Sequence, residues 1–219
     1  MNIFHPLLQS MYPPLCRGCQ TLITSEEIFC ITCMTHLKPL PSLILPVTSR
    51  YRLTVFAATA YAYPARTLVT RKFSGDVVAA RQLARLMLMY TPLRTHSIDY
   101  LVPIPLHWTR YAQRGFNQAY EMAQTIGPDI KKPVTRLIRR QKTTTFQWKL
   151  SGKNRQENVK DAFALSLKYC WLERPDIRDR HIVIIDDLCT TGATLVQASR
   201  IIAEHQPASI TAFVGCRAT

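Results

Sequence analysis

VIIDDLCTTGATL, residues 183–195, joins a β-branched apolar run to two adjacent carboxylates and then to a Thr/Gly-rich turn that opens a helical pattern. The run at 182–185 is continuous, as in a parallel strand buried on both faces, and the carboxylates begin where that burial has to end. Asp186 and Asp187 therefore stand at the mouth of the turn. Thr190, Thr191, Gly192, Ala193 and Thr194 offer hydroxyls and backbone N–H groups at the positive end of the next helix, a cradle that holds a phosphate without a lysine. Adjacent carboxylates beside such a cradle can take ribose hydroxyls or the water shell of Mg2+, which binds through few carboxylates plus substrate oxygens. A lone acidic pair or a lone TGxT would be an ordinary strand end with a Thr cap; the thirteen residues together argue for a phosphate site.

Outward from this stretch, strand and helix patterns alternate. Residues 51–63 are rich in β-branched, aromatic and alanine residues and read as a first strand or hairpin. Gly75 precedes VVAARQLARLMLMY, where Val78, Leu83, Leu86, Met87 and Tyr90 give a helical face and Arg81 and Arg85 fall one turn apart on a solvated side. A strand follows at 100–104, a helix after Gly115 and a last strand at 210–215. This order predicts an α/β fold with a mostly parallel, doubly wound sheet. The strand at 100–104 runs into VPIPLHWTRYAQRGFNQA, where Pro103 and Pro105 force a non-helical bend before Arg110 and Arg114. With His107, the two arginines surround a turn at a strand's C-terminal edge, where open α/β sheets bind ligands. A rigid connecting loop with surface arginines is the alternative.

Lys and Arg number 28 against 14 Asp and Glu, a formal charge of +14 that favours polyanions such as nucleic acid, membrane phosphate or a polyphosphate substrate. No apolar run approaches the roughly 20 residues needed to span a bilayer, so no membrane insertion is expected. The start, MNIFHPLLQSMYPP, lacks a basic flank before an apolar core and does not read as a signal peptide, which places the chain in the cytoplasm. Disulfides are not expected there. Cys16, Cys19, Cys30 and Cys33 instead form two CxxC knuckles, the spacing of a structural four-cysteine zinc site, with Gly18 allowing a tight first turn. Two coincidental pairs or a redox dithiol are the alternatives, and His36 is expected on the surface. Prolines 39, 41 and 46 suggest a semi-rigid connector. The expected division is a zinc-ribbon module at 1–40, a connector at 41–50 and the main domain at 51–219.

Residues 131–160 carry ten Lys/Arg against the single acid Glu157, with Phe146 and Trp148 among them. Lys142, Lys149, Lys153 and Arg155 around those rings suit single-stranded nucleic acid, cations tracking phosphates and aromatic faces stacking on bases. A solvated loop is the alternative for any one of these lysines.

The 183–195 stretch resembles the phosphoribosyl pyrophosphate (PRPP) loop of type I phosphoribosyltransferases. That resemblance implies that Asp186 and Asp187 bind the ribose hydroxyls and that Thr190 to Thr194 wrap the 5′-phosphate. It departs at Cys189, where the family usually has an aliphatic residue. PPLCRGC with FCITC, RKFSGD, VPIPLHWTRYAQRGFNQA, FQWKLSGKNRQENVKDAF and IVIIDDLCTTGATL together resemble the ComF family of competence proteins, which join a zinc ribbon to a phosphoribosyltransferase-like domain. The resemblance implies a type I phosphoribosyltransferase-like fold, Mg2+ with PRPP, a diphosphate loop at Pro103, Pro105, His107, Arg110 and Arg114, a basic turn at Lys72, and a hood over the ligand formed by the 131–160 region. It also implies handling of imported single-stranded DNA during natural transformation, with other competence proteins as partners. A metabolic phosphoribosyltransferase and a nucleotide-sensing regulator are the alternatives, and no acceptor base is identifiable. Similarity to glutamine-dependent amidophosphoribosyltransferases stops at the front of the chain, where Asn2 and the cysteine knuckles stand in place of a leading cysteine and its glutaminase domain.

Overall fold

The computed structural model describes residues 13–71, 75–106, 111–112, 115–140, 163–165 and 175–219. Its strands are β1 (Leu43–Pro46), β2 (Arg52–Ala60), β3 (Tyr100–Pro103), β4 (Ile138–Arg140), β5 (Phe163–Leu165), β6 (His181–Cys189) and β7 (Ser209–Arg217). Five of them form one sheet in the order β1-β2-β7-β6-β3, while β4 and β5 pair separately and antiparallel. β2, β7, β6 and β3 are mutually parallel, and β1 is an antiparallel edge. The α/β fold with a mostly parallel sheet is therefore as the sequence pattern predicts.

The apolar run in β6 shows why that pattern is informative. Side chains alternate across a strand, so a strand covered on both faces must be apolar at every position. Ile182 and Ile184 enter a core with Leu53, Val55 and the helix α5 (Ala193–Ala203), which contributes Leu195, Ala198 and Ile202. Val183 and Ile185 enter the opposite core, with α3 (Val77–Tyr90) and α4 (Gln118–Ile130) supplying Leu83, Met87, Met122 and Ile126. Each such fully buried side chain contributes roughly 1.5–3 kcal/mol of transfer free energy.

Two local expectations change. Residues 43–46, inside the stretch expected to be a connector, form β1 and pair with β2 from Leu43↔Val55 to Pro46↔Arg52. The hairpin closes through the Val47 and Thr48 amides, which both donate to Tyr51 O at 3.1 Å. Pro46 is tolerated because, among the described residues, this strand has no neighbour on its other side. On α3, Val78 and Tyr90 are exposed, and the buried face is Ala79, Ala80, Leu83, Ala84, Leu86, Met87 and Leu88. Small alanines let this helix approach its neighbours on two sides, which rotates the buried stripe away from Val78. Arg81 and Arg85 are exposed as expected, but both have partners: Glu121 at 3.3 Å, and the Glu26 carbonyl at 3.0 Å.

The cysteine-bearing segment, with its short helix α1 (Ile31–Met34), shares a core with the rest of the chain. Cys16, Ile28, Phe29 and Cys33 are buried in one cluster with Leu68 and Val69 of α2 (Arg66–Thr70) and with α3. Polar ties reinforce the contact. Arg17 Nη1 lies 3.1 Å from Asp76 Oδ2, and Asp76 itself caps α3 by accepting from the Ala79 amide at 2.9 Å.

Candidate functional site

Asp186 and Asp187 lie at the C-terminal end of the sheet, half-buried, where the fully buried part of β6 stops. The strand itself continues further than the apolar run suggests, because β7 keeps pairing with it through Leu188↔Cys216 and Cys189↔Arg217. Strand alternation sends the two carboxylates to opposite faces of the sheet. Their effects on two thiols agree: burial and then the Asp186 charge push Cys189 up to about 11, and burial and then Asp187 push Cys216 up to about 12. Both cysteines are buried, so Cys189 packs as a small apolar residue. The Asp187 amide donates to Asp186 Oδ1 at 2.9 Å, which fixes the geometry of the pair.

The turn after β6 is built around Gly192. Its φ of +76° and ψ of 0° are in the left-handed region, and a Cβ there would run into Leu45 Cδ1. This position therefore needs glycine for two independent reasons. Gly192 is buried, Thr190 and Thr191 are exposed, and Ala193 and Thr194 begin α5. Whereas α3 and α4 are capped by the side chains of Asp76 and Asn117, α5 has no side-chain cap at Gly192, and the Thr191 hydroxyl accepts from the Ala193 amide only at 3.5 Å. Amides of a first helical turn have no partner within the helix and favour an anion.

β3 brings the second loop to the same edge. Pro103 is in register with Ile185, and the Ile104 amide donates to Ile185 O at 2.9 Å, so the chain leaves β3 beside the paired carboxylates. Pro103 is buried and Pro105 half-buried. Asn117, from the RGFNQ motif, holds this exit: its Nδ2 donates to Ile104 O at 3.0 Å while its Oδ1 accepts from the Tyr120 amide at 3.4 Å. An Asn immediately before a helical pattern is a legible N-cap signal, but its second bond, to the strand end, is tertiary and carries no local signal. His107, Arg110, Arg114, Lys72, Lys142, Phe146, Trp148, Lys149, Lys153 and Arg155 lie outside the described residues.

At the other end of the chain the ligating atoms of Cys16, Cys19, Cys30 and Cys33 all lie within 4.8 Å of one another. A tetrahedral zinc ion holds thiolates at about 2.3 Å, which needs sulfurs this close together, and the all-sulfur donor set suits it. Backbone N–H groups of Gly18 and Cys30 point at Cys16 Sγ, at 3.4 and 3.2 Å. Gly18 is needed for space rather than for a special φ: a Cβ there would lie 2.8 Å from Cys33 Sγ and 3.0 Å from both Pro64 Cβ and Tyr63 Oη. Hydrogen bonds from Thr21 bring Cys19 down to about 6, while burial pushes Cys33 up to about 12. Tyr63 Oη lies 3.1 Å from Cys33 Sγ, a contact from outside the cysteine segment that the cysteine spacing could not reveal. His36 is exposed, as expected.

Comparison with known proteins decides the family. The phosphoribosyl transferase domain matches residues 111–218. Competence protein F of Haemophilus influenzae is 29% identical over 199 residues, covering 86% of this chain and 83% of that protein. The DNA utilization protein YhgH of Escherichia coli (strain K12) is 28% identical over 210 residues, covering 93% of this chain and 84% of that protein. YhgH of Salmonella typhi is 30% identical over 164 residues, covering 72% of this chain and 69% of that protein. The chain belongs to the ComF family of competence proteins. It is thus a competence-related protein with a phosphoribosyltransferase-like domain, and its four clustered cysteines can bind a metal such as zinc. Among the described residues, no helix is long and apolar enough to cross a membrane.

Proposed function

We propose that this ComF-family chain binds PRPP with Mg2+ at the C-terminal edge of β6 and handles imported single-stranded DNA in the cytoplasm during natural transformation. The observation that carries the reading is the β6–α5 junction, where two half-buried carboxylates precede a glycine-built turn and a helix start without a side-chain cap. In this reading Asp186 and Asp187 take the ribose hydroxyls and sit beside Mg2+. Thr190, Thr191, Gly192, Ala193 and Thr194 receive the 5′-phosphate. The loop at Pro103 and Pro105, with His107, Arg110 and Arg114, meets the diphosphate. Lys142, Phe146, Trp148, Lys149, Lys153 and Arg155 meet the DNA, and Lys72 supplies a further cation. Zinc on Cys16, Cys19, Cys30 and Cys33 is structural, since four thiolates leave no open position for a substrate. The formal charge of +14 and the names of the relatives, competence protein F and DNA utilization protein, support the nucleic-acid half.

The same turn favours a second reading, transfer of phosphoribose to an acceptor with release of pyrophosphate. A pyrophosphate-release assay with Mg–PRPP and pooled bases, amines and single-stranded DNA separates the two. Oligonucleotide titrations over a range of salt concentrations test the nucleic-acid half: affinity is expected to fall steeply as salt rises, and a flat response contradicts binding through phosphates.

A further inference from the structure

The four cysteines of the cluster are not equivalent. Cys16 and Cys33 are 1% and 2% exposed and belong to the core shared with α2 and α3, whereas Cys19 is exposed and Cys30 half-buried. The inner sulfurs are held by groups other than thiols. The Gly18 and Cys30 amides donate to Cys16 Sγ at 3.4 and 3.2 Å, and Tyr63 Oη lies 3.1 Å from Cys33 Sγ. The outer sulfurs meet each other: Cys19 Sγ lies 3.5 Å from Cys30 Sγ, and the hydroxyl of the exposed Thr21 lies 3.2 Å from Cys19 Sγ. One outer sulfur comes from each knuckle, so the pair spans the two rather than closing either one.

We propose that Cys19 and Cys30 are an oxidative modification site, at which a peroxide joins the outer pair in a disulfide and the cluster gives up its metal. The inference rests on the zinc reading above and adds a reaction of its two outer ligands. Metal-bound cysteines are thiolates, and the thiolate that solvent reaches is the one a peroxide oxidises. Cys19 attacks one peroxide oxygen, the O–O bond breaks, and Cys19 becomes a sulfenic acid as hydroxide leaves. Cys30 then attacks that sulfur, forming the S–S bond and expelling a second hydroxide. Two protons from solvent turn both hydroxides into water, so the two sulfurs are oxidised and the peroxide is reduced. Two thiolates remain, too few for a closed zinc shell. The new bond links the same two knuckles that the metal joins, while Cys16 and Cys33 keep their places in the shared core. The segment therefore stays docked in both states. A bond within either knuckle needs a buried sulfur and leaves the knuckles unlinked. Disulfides in a reducing compartment are transient and redox-sensing, and a thiol reductant with zinc restores the cluster.

The wild-type chain, assayed for zinc as purified, is titrated with hydrogen peroxide while released metal is followed with a chromogenic chelator and disulfides are mapped by peptide mass spectrometry. The expected result is release of about one zinc per chain, loss of two of the seven thiols, and a bond between Cys19 and Cys30, all reversed by dithiothreitol with added zinc. The oxidised chain is expected to unfold at a higher temperature than the reduced chain stripped by chelator, since only the first is crosslinked. Zinc retained through oxidation, or bonds Cys16 to Cys19 and Cys30 to Cys33 instead, overturns the site while leaving structural zinc intact. An oxidised chain that unfolds no later than the stripped one also overturns it, because the disulfide then does not stand in for the metal. A wild-type chain that folds without zinc removes the zinc reading and the modification site together. The mapping uses the wild-type chain throughout, so no outcome depends on whether a cysteine variant folds.

Discussion

The cysteine cluster and the β6–α5 turn both depend on a glycine, and for different reasons. Gly18 has no unusual φ; it is small because Cys33 Sγ, Pro64 and Tyr63 leave no room for a Cβ. Gly192 is both crowded, by Leu45, and left-handed, with φ of +76°. The surroundings differ as well. Around Gly18 the polar groups face one another, with four sulfurs within 4.8 Å and a tyrosine hydroxyl 3.1 Å from one of them, although Cys19 is exposed. Gly192 is itself buried, but the residues before it face outward, with Thr190 and Thr191 exposed and the carboxylates half-buried. Four sulfurs turned toward one another are suited to holding the chain together, whereas outward-facing hydroxyls at a sheet edge are suited to holding something else.

Removing the metal should separate the two regions most sharply. If the cluster is structural, metal analysis finds about one zinc per chain, and chelation lowers stability by more than about 4 kcal/mol, read by denaturant unfolding. A chain that is metal-free and equally stable breaks the comparison at its first term.

The glycines come next. Gly192→Ala should destabilise by roughly 2–4 kcal/mol, overpacking against Leu45 adding to left-handed strain. Pairing it with Leu45→Ala should recover the crowding part and leave roughly 1–2 kcal/mol of strain. Gly18→Ala should lower stability by about 1–3 kcal/mol and weaken zinc, since the added methyl presses on Cys33 Sγ. If the Leu45 double variant recovers everything, the φ argument at Gly192 is wrong.

The smallest effect is expected at the contact between the regions. Arg17→Ala removes a partly exposed ion pair while leaving Asp76 its bond to the Ala79 amide and its 3.5 Å contact with Arg71. A loss of only about 0.2–1 kcal/mol is expected from thermal unfolding. A larger one would mean that docking of the cysteine segment depends on this pair rather than on Ile28 and Phe29 in the shared core.

These regions also differ in how they could be read from sequence. Residues 183–195 were legible because their reading is local: burial on both faces dictates a continuous apolar strand, and the turn residues follow directly. The CxxC spacing was legible for the same reason. What escaped reading is tertiary. Leu45 in β1 packs over Gly192 from a stretch whose prolines suggested a connector, because nothing local tells an edge strand carrying a proline from a proline-rich linker. Tyr63 meets Cys33 from beyond the cysteine segment. Val78 and Tyr90 fit a helical stripe equally well on either side of α3, and the neighbouring alanines, which carry a weak hydrophobic signal, chose the other. In the candidate site, Asp186 and Asp187 stand out in the sequence by themselves, whereas the bond from Asn117 to Ile104 O needs the end of β3 and the start of α4 brought together.

The measurement that tests the account most directly is a calorimetric titration of PRPP, with and without Mg2+, into the wild-type chain and Asp187→Asn. The account predicts Mg-dependent binding by the wild type, at least a tenfold loss in the variant, corresponding to about 1.4 kcal/mol or more, and unchanged thermal unfolding of the free proteins. Equal affinity in the two chains, or a well-folded wild type that does not bind PRPP, would contradict it.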